Sequence, residues 1–178
     1  SVASRGLGDV YKRQELVDLK ITNYCSFGCR YCYQGSTTEG VHADTSEISS
    51  IIRVLAENEV FEVAIGGGEP TQHPDFIDIL KEMKERYIVP NFTTRNLKWI
   101  KENINDIQGI IGSFAYSVSD NYHDIAKLAN IRDFYEIPDH KVCVQYVLGT
   151  GSPYAFENTV KLCAEHNLSL IHISEPTR

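Results

Sequence analysis

The chain alternates short apolar segments with segments of helical periodicity, and this alternation constrains its fold more than any other feature. Strands that alternate with helices in this way form a parallel sheet joined by right-handed crossovers. A chain of 178 residues is long enough for one such domain with its own core. The pattern predicts strands over residues 16–22, 61–65, 88–93, 110–119 and 142–148, and helices over residues 45–57, 74–87, 97–104, 122–129 and 154–166.

Alternate residues of the predicted strands differ in chemical character. One face is apolar, which is typical of the side that helices cover. The opposite face is polar or small, whereas a closed eight-stranded barrel fills its interior with branched apolar side chains. We therefore expect a sheet curled around a wet cavity, with a flat sheet open to solvent as the alternative. The polar face comprises Asp18, Lys20, Thr22, Glu62, Ala64, Gly66, Asn91, Thr93, Arg95, Ser113, Ala115, Ser117, Ser119, Cys143 and Gln145.

Three of the five cysteines, Cys25, Cys29 and Cys32, stand together in the loop after the first predicted strand. An odd number of cysteines with three close together indicates metal chemistry in a reducing cytoplasm rather than a disulfide framework. Thiolates suit zinc or iron–sulfur clusters. Structural zinc takes four protein ligands, whereas a 4Fe–4S cluster on three cysteines leaves one iron open to another molecule. Chance spacing and half of a zinc site remain alternatives, and Cys143 and Cys163 are expected in the core.

A glycine-rich segment, Gly66-Gly67-Gly68-Glu69-Pro70, directly follows the second predicted strand. Segments that follow parallel strands meet at one edge of the sheet, so this segment is expected near the cysteine loop. Glycines let a ligand approach the backbone closely, and the Glu69 carboxylate can meet an ammonium group. The spacing is not that of a dinucleotide-binding or phosphate-binding loop, and the segment alone is equally consistent with a tight turn.

The cysteine spacing, with an aromatic residue before Cys32, and the Gly-Gly-Glu-Pro segment together resemble the radical S-adenosylmethionine (radical SAM) enzymes. The resemblance covers residues 15–167 and implies an α/β fold, a partial parallel (βα) barrel truncated at about five of six strand–helix units. It implies that the three clustered cysteines hold a 4Fe–4S cluster and that the remaining iron chelates S-adenosylmethionine. The resemblance implies three further contacts with the cofactor. The backbone beside Tyr31 would contact adenine, and Gly67, Gly68 and Glu69 would contact the methionine ammonium. Ser117 and Ser119 would contact the ribose or the carboxylate.

The resemblance also implies an activity. A cluster reduced by a donor such as flavodoxin or ferredoxin would cleave S-adenosylmethionine to a 5′-deoxyadenosyl radical that abstracts hydrogen from a substrate. We expect a peptide or protein side chain as the substrate, as in a maturase. A radical SAM enzyme acting on a small metabolite or nucleotide is the alternative, and a non-enzymatic zinc-binding domain is the alternative of another class. The candidate substrate contacts are Lys20, Thr93, Arg95 and Gln145.

Some residues allow another role or differ from the family's pattern. Lys20 and Arg95 could instead form ion pairs with Asp18 and Glu62. Residues 93–96 read Thr-Thr-Arg-Asn where many relatives have Thr-Asn-Gly, and the end of the fifth strand matches the family's adenine-binding pattern only loosely. Five of the six histidines are expected at the surface: His42, His73, His123, His140 and His166.

Charge and hydropathy exclude some classes of protein. A net charge of −7 argues against nonspecific binding to nucleic acid, which depends on Lys and Arg against phosphate. The sequence has no apolar run near the length of a membrane span and no secretion leader. We therefore expect a cytoplasmic protein without a membrane partner.

Both ends of the chain are expected to be foreign to the domain. Residues 4–14 and 168–178 can be encoded by DNA strings that are reverse complements of each other and resemble a sequencing-library adapter. The expected organisation of this metagenomic fragment is a tail over 1–14, a radical SAM core over 15–167 and a tail over 168–178. The second tail begins Leu-Ser-Leu-Ile-His-Ile, which alternates like a strand and is predicted to pair beside the fifth strand over residues 168–173.

Overall fold

The computed structural model describes residues 16–29, 32 and 35–174, with the side chains of 172–174 excepted. Strands and helices alternate through this part of the chain. The strands are β1 (Leu16–Lys20), β2 (Glu62–Gly66), β3 (Val89–Thr94), β4 (Phe114–Val118), β5 (Val142–Leu148) and β6 (Ser169–Ser174). The α-helices are α1 (Thr45–Glu57), α2 (Phe76–Glu85), α3 (Leu97–Ile107), α4 (Asp124–Phe134) and α5 (Ala155–Glu165), and short 3₁₀ helices lie at Pro70–Gln72 and Asp139–Lys141.

The six strands form one sheet in the order β1-β2-β3-β4-β5-β6, and each strand is parallel to its neighbours. The sheet is parallel because a crossover containing a helix separates each strand from the next. Helices cover one face, where the side chains of Val63, Phe114, Tyr116 and Val144 are almost completely buried. The parallel α/β fold predicted from the alternation is therefore confirmed.

The opposite face of the sheet surrounds a cavity of about 970 Å³. A flat sheet would not bring side chains from its first and fifth strands around one volume, so the expectation of a curled sheet is confirmed. The structure is a partial parallel barrel that opens at the carboxyl edge of its strands. The cavity residues contributed by the predicted polar face are Asp18, Lys20, Ala64, Gly66, Thr93, Arg95, Ser117, Ser119 and Gln145.

The last strand, β6, pairs in parallel with β5 from Cys143↔Ser169 to Leu148↔Ser174. The strand predicted over residues 168–173 is therefore confirmed, shifted by one residue. Its pairing satisfies an edge of β5 that would otherwise present unpaired amides and carbonyls. The foreign origin of this segment remains a prediction, and the N-terminal tail predicted over residues 1–14 lies outside the described residues.

The end of α2 corrects the sequence prediction. The helical spacing predicts that Tyr87 shares the buried stripe of this helix, but the helix ends at Glu85 and Tyr87 follows with φ of 61° and 91% exposure. The left-handed turn at Tyr87 reverses the chain into β3, which takes the tyrosine ring away from the sheet.

Among the helices of the described residues, none combines the length and the hydropathy that a membrane span requires.

The buried face of α5 also differs from the prediction. The helical spacing of Phe156, Val160 and Cys163 predicts that they share one buried stripe, but Phe156 and Val160 are 37% and 42% exposed. The helix instead buries Ala155, Thr159 and Cys163, and the Thr159 hydroxyl is satisfied within the helix, since its Oγ1 donates to the Ala155 carbonyl oxygen at 2.7 Å. Strand β4 is shorter than predicted because residues 108–110 form a turn after α3, in which Ile110 N and Ile111 N donate to the Ile107 carbonyl oxygen.

Candidate active site at the carboxyl edge of the sheet

The cysteine loop leaves β1 at the carboxyl edge of the sheet and is held by backbone hydrogen bonds. Cys25 N donates to the Thr37 carbonyl at 3.1 Å, which closes the loop at its base, and Cys32 N donates to the Cys29 carbonyl at 3.1 Å. Gly28 adopts φ of 57° with no atom near its missing Cβ, so it supplies a left-handed turn between the cysteines. These contacts place all three free, partly exposed thiols at the cavity wall.

The glycine segment lies directly against the cysteine loop. Gly68 N donates to the Thr22 carbonyl and Glu69 N donates to the Tyr24 carbonyl, each at 2.8 Å. A Cβ at Gly67 would lie 2.3 Å from Thr22 O, and one at Gly68 would lie 2.1 Å from Tyr24 O. These two glycines are therefore required by the close approach of the cysteine loop, and their contact locks the two segments together. Sequence reasoning placed the segments together but attributed the glycines to ligand access.

The Glu69 carboxylate joins the glycine segment to the end of β3. It is only 3% exposed, and its Oε1 accepts from Thr94 Oγ1 at 2.6 Å and Thr71 Oγ1 at 2.7 Å. Oε1 also accepts from Thr71 N at 3.3 Å, and Oε2 accepts from Arg95 N at 3.0 Å. Glu69 lines the cavity while these protein donors orient its carboxylate. The carboxylate is thus a structural link as well as a candidate ligand contact.

Arg95 directs its guanidinium to the cysteine loop. Its Nη1 donates to Cys29 Sγ at 3.0 Å and to Ser119 Oγ at 3.2 Å. Within the described residues Arg95 forms no ion pair, so of the two roles left open for it, pairing with Asp18 or Glu62 is not the one that the structure shows. Glu62 instead accepts from Asn91 Nδ2 at 3.4 Å. Pairing fails because β3 carries Arg95 to the carboxyl edge of the sheet, whereas Glu62 lies at the start of β2.

The other predicted contacts line the same cavity. Ser117 and Ser119 flank the end of β4, and Thr93 Oγ1 donates to Gln145 Oε1 at 3.3 Å across the sheet. Lys20 also lines the cavity and forms no ion pair within the described residues. Tyr31, the predicted neighbour of adenine, lies outside those residues. The structure therefore brings every described candidate site residue to one cavity.

Two histidines, His42 and His73, pack beside the cysteine loop. Their positions differ from the expectation that they lie at the surface. His73 is 3% exposed, its Nε2 lies 2.9 Å from the Ala43 carbonyl, and its Nδ1 accepts from Asp75 N at 3.1 Å. The ring of His42 packs on that of His73 at 5.3 Å and contacts Thr22 Oγ1 through Nδ1 at 2.8 Å. Burial of His42, followed by the proximity of His73, lowers its pKa. Sequence periodicity offered no signal for this pair, because both residues lie in loops.

The thiol groups differ in environment. Burial raises the pKa of Cys25, with the nearby Glu69 carboxylate and the other cysteines acting in the same direction and a backbone hydrogen bond from Phe27 opposing them. Burial also raises the pKa of Cys143 and that of Cys163, the latter to about 11. Cys163 is 3% exposed, which confirms its core position, whereas Cys143 is half-buried on the opposite face of the sheet.

The donor set of the cysteine loop fits an iron–sulfur cluster. No three His, Cys, Asp or Glu side chains among the described residues are arranged to hold a single metal ion. A cluster does not require that arrangement, because each thiolate binds a separate iron. Cys25, Cys29 and Cys32 supply soft ligands at the cavity wall, with a cationic hydrogen-bond donor at one of them.

The chain is similar to curated proteins of several activities, although it spans only about a quarter of their length. It is 30% identical to a probable GTP 3′,8-cyclase of Thermoplasma volcanium over 89 residues, which are 49% of this chain and 27% of that protein. It is 28% identical to a PqqA peptide cyclase of Bradyrhizobium diazoefficiens over 91 residues, which are 50% of this chain and 24% of that protein.

Solved structures show the same fold. Streptococcus suis SuiB bound to its precursor peptide SuiA matches with a TM-score of 0.72 and 20% identity, over 93% of this chain and 40% of that one. Native anSMEcpe with bound AdoMet and a Kp18Cys peptide matches with a TM-score of 0.70 and 13% identity, over 89% of this chain and 51% of that one.

The family model of the Radical SAM superfamily matches residues 19–138, which include the cysteine loop, the glycine segment and the end of β3. This match covers more than half of the chain. Together with the parallel partial barrel and the three free thiols at its carboxyl edge, it shows that the chain belongs to the radical SAM superfamily.

Proposed function

We propose that this chain is the core of a radical SAM enzyme in which Cys25, Cys29 and Cys32 hold a 4Fe–4S cluster. The observation that carries the proposal is the placement of three free thiols beside the Gly67–Gly68–Glu69 segment at the mouth of one cavity. When bound, the cluster supplies one electron for cleavage of S-adenosylmethionine and formation of a hydrogen-abstracting radical. An electron donor such as flavodoxin or ferredoxin is part of the proposal.

The chain's own residues bind and orient the reactants in this proposal. The contact between Gly68 and the cysteine loop fixes the distance between the thiols and the glycine segment. Glu69 offers its carboxylate, oriented by Thr71 and Thr94, to the ammonium group of the cofactor. Ser117 and Ser119 contact the ribose or carboxylate, and the curled sheet holds the substrate away from bulk water.

A peptide or protein side chain is the proposed substrate. The cavity is about 970 Å³ and its wall carries amide, hydroxyl and ammonium groups, which suit the polar backbone of a peptide. Lys20, Thr93, Arg95 and Gln145 are the proposed contacts. Similarity to a PqqA peptide cyclase and to structures bound to peptides supports this choice.

A nucleotide is the second candidate substrate, and the similarity to GTP 3′,8-cyclases is the observation that favours it. Lys20 lines the cavity, forms no ion pair with another described residue, and could meet a phosphate group. Incubation of the reduced enzyme with S-adenosylmethionine and either GTP or a peptide encoded beside the gene separates the two. The correct substrate should increase S-adenosylmethionine turnover and should itself be converted to a product of different mass, whereas the wrong one should do neither.

Anaerobic reconstitution tests the cluster itself. The chain should bind about four irons, and replacing any of Cys25, Cys29 or Cys32 by Ala should abolish the cluster. Cys143→Ala and Cys163→Ala are the matched controls, because they remove thiols outside the loop and should leave the iron content unchanged. Retention of the cluster after loss of one loop cysteine would contradict the assignment.

A further inference from the structure

We propose that Arg95 raises the reduction potential of the iron–sulfur cluster by donating a charged hydrogen bond to the Cys29 sulfur. The inference rests on the proposed function, since it assumes that Cys29 is a cluster ligand. Its basis is the position of Arg95 Nη1, 3.0 Å from Cys29 Sγ and 3.2 Å from Ser119 Oγ. The same nitrogen therefore touches one thiol of the site and one hydroxyl of the cavity wall.

Arg95 is held in this position from both ends. Its backbone N donates to Glu69 Oε2 at 3.0 Å, while Thr94 Oγ1 donates to the other carboxylate oxygen at 2.6 Å. Ser119 holds the guanidinium, and Asn121 Oδ1 accepts from Ser119 N at 2.7 Å, which orders the end of β4. The guanidinium is therefore positioned by the ends of two strands rather than by a flexible surface contact.

The charge of Arg95 is directed to the cysteine loop because no carboxylate of the described residues forms an ion pair with its guanidinium. The Glu69 carboxylate accepts a hydrogen bond from the backbone N of Arg95 and not from its guanidinium. An arginine side chain stays protonated throughout the usable pH range. A half-buried charge is also screened by salt less than an exposed one. The positive charge beside Cys29 is therefore permanent.

The sign of the effect follows from the charge of the cluster. Reduction adds an electron, so a positive charge and an N–H···S hydrogen bond stabilise the reduced cluster more than the oxidised cluster. Arg95 therefore makes reduction easier and allows a weaker electron donor to suffice.

The experiment compares the midpoint potential of the reconstituted cluster in the unmodified chain, Arg95→Gln and Lys98→Gln, by redox titration with electron paramagnetic resonance detection. Arg95→Gln should lower the ratio of reduced to oxidised cluster at a given potential by about tenfold, which is about 59 mV for one electron. Lys98→Gln makes the same change in net charge at an α3 side chain that is 84% exposed and pairs with Glu102, and it should leave the potential unchanged.

Iron content and cofactor affinity separate the possible failures. Absence of a cluster in the unmodified chain would overturn the proposed function and this inference with it. An intact cluster with the same potential in Arg95→Gln would overturn this inference alone, and weaker binding of S-adenosylmethionine in that variant would then assign Arg95 to the cofactor. Arg95→Lys keeps the positive charge but loses the planar guanidinium group, so its midpoint potential should lie between those of Arg95→Gln and the unmodified chain.

Discussion

Replacement of Glu69 by Ala should lower the free energy of unfolding as well as the affinity for the proposed cofactor. The carboxylate accepts four hydrogen bonds from Thr71, Thr94 and Arg95 at distances of 2.6–3.3 Å while being only 3% exposed. Hydrogen bonds to a charged group contribute about 1.5–3 kcal/mol each, but these four share one acceptor and are not additive. Because water from the adjoining cavity can reach some of the released donors, we expect the free energy of unfolding to fall by about 3–5 kcal/mol.

Two further variants make this prediction specific. Glu69→Gln keeps the shape and can still accept at the Oε1 position, but its amide would then face Arg95 N, donor against donor, at an expected cost of about 1.5–3 kcal/mol. Glu62→Gln changes a half-buried carboxylate whose one hydrogen bond among the described residues is 3.4 Å long, and it should change stability by less than about 0.5 kcal/mol. Urea unfolding followed by circular dichroism gives all three values. If Glu69→Ala matches Glu62→Gln, the carboxylate is not a structural link and the reasoning fails.

The other predictions use the same unfolding measurement or a related one. Gly68→Ala places a Cβ 2.1 Å from a backbone oxygen of the cysteine loop and should lower the free energy of unfolding by about 3 kcal/mol or more. The control is Gly66→Ala, whose Cβ meets no atom within 4 Å and which should change the free energy of unfolding by less than about 1 kcal/mol. Equal losses in the two variants would contradict the packing argument. The lowered pKa of His42 means that the unfolded chain binds protons more readily, so stability should fall as the pH drops below about 6.5, and His42→Gln should weaken this dependence; identical pH profiles would contradict it. Deletion of residues 168–178 removes β6, exposes the edge of β5 and should promote self-association in size-exclusion chromatography; a monodisperse monomer would show that the edge tolerates exposure.

Most of the fold and the set of candidate site residues could be predicted because they depend on short-range patterns. Alternation along each strand identified which side chains face the cavity, and the strand–helix order placed the cysteine loop and the glycine segment at one edge. Helix limits were less accurate: the apolar run to Tyr87 suggested a longer α2, but the chain reverses after Glu85. In α5, the spacing of Phe156 and Val160 predicts a buried stripe with Cys163, but the helix buries Ala155 and Thr159 with Cys163 instead.

The roles of individual side chains at the site required the structure. A parallel sheet, a polar inner face and three thiols in one loop follow from the sequence, because each depends on neighbours a few residues apart. The close approach of the cysteine loop at Gly68, the burial of His73 and the contact of Arg95 with Cys29 depend on residues that meet only in the folded chain. Cys29 and Arg95 are far apart in the chain, and no local period encodes their 3.0 Å contact. It arises because parallel strands bring the loops at their carboxyl ends together, where the length and direction of each side chain select its partner.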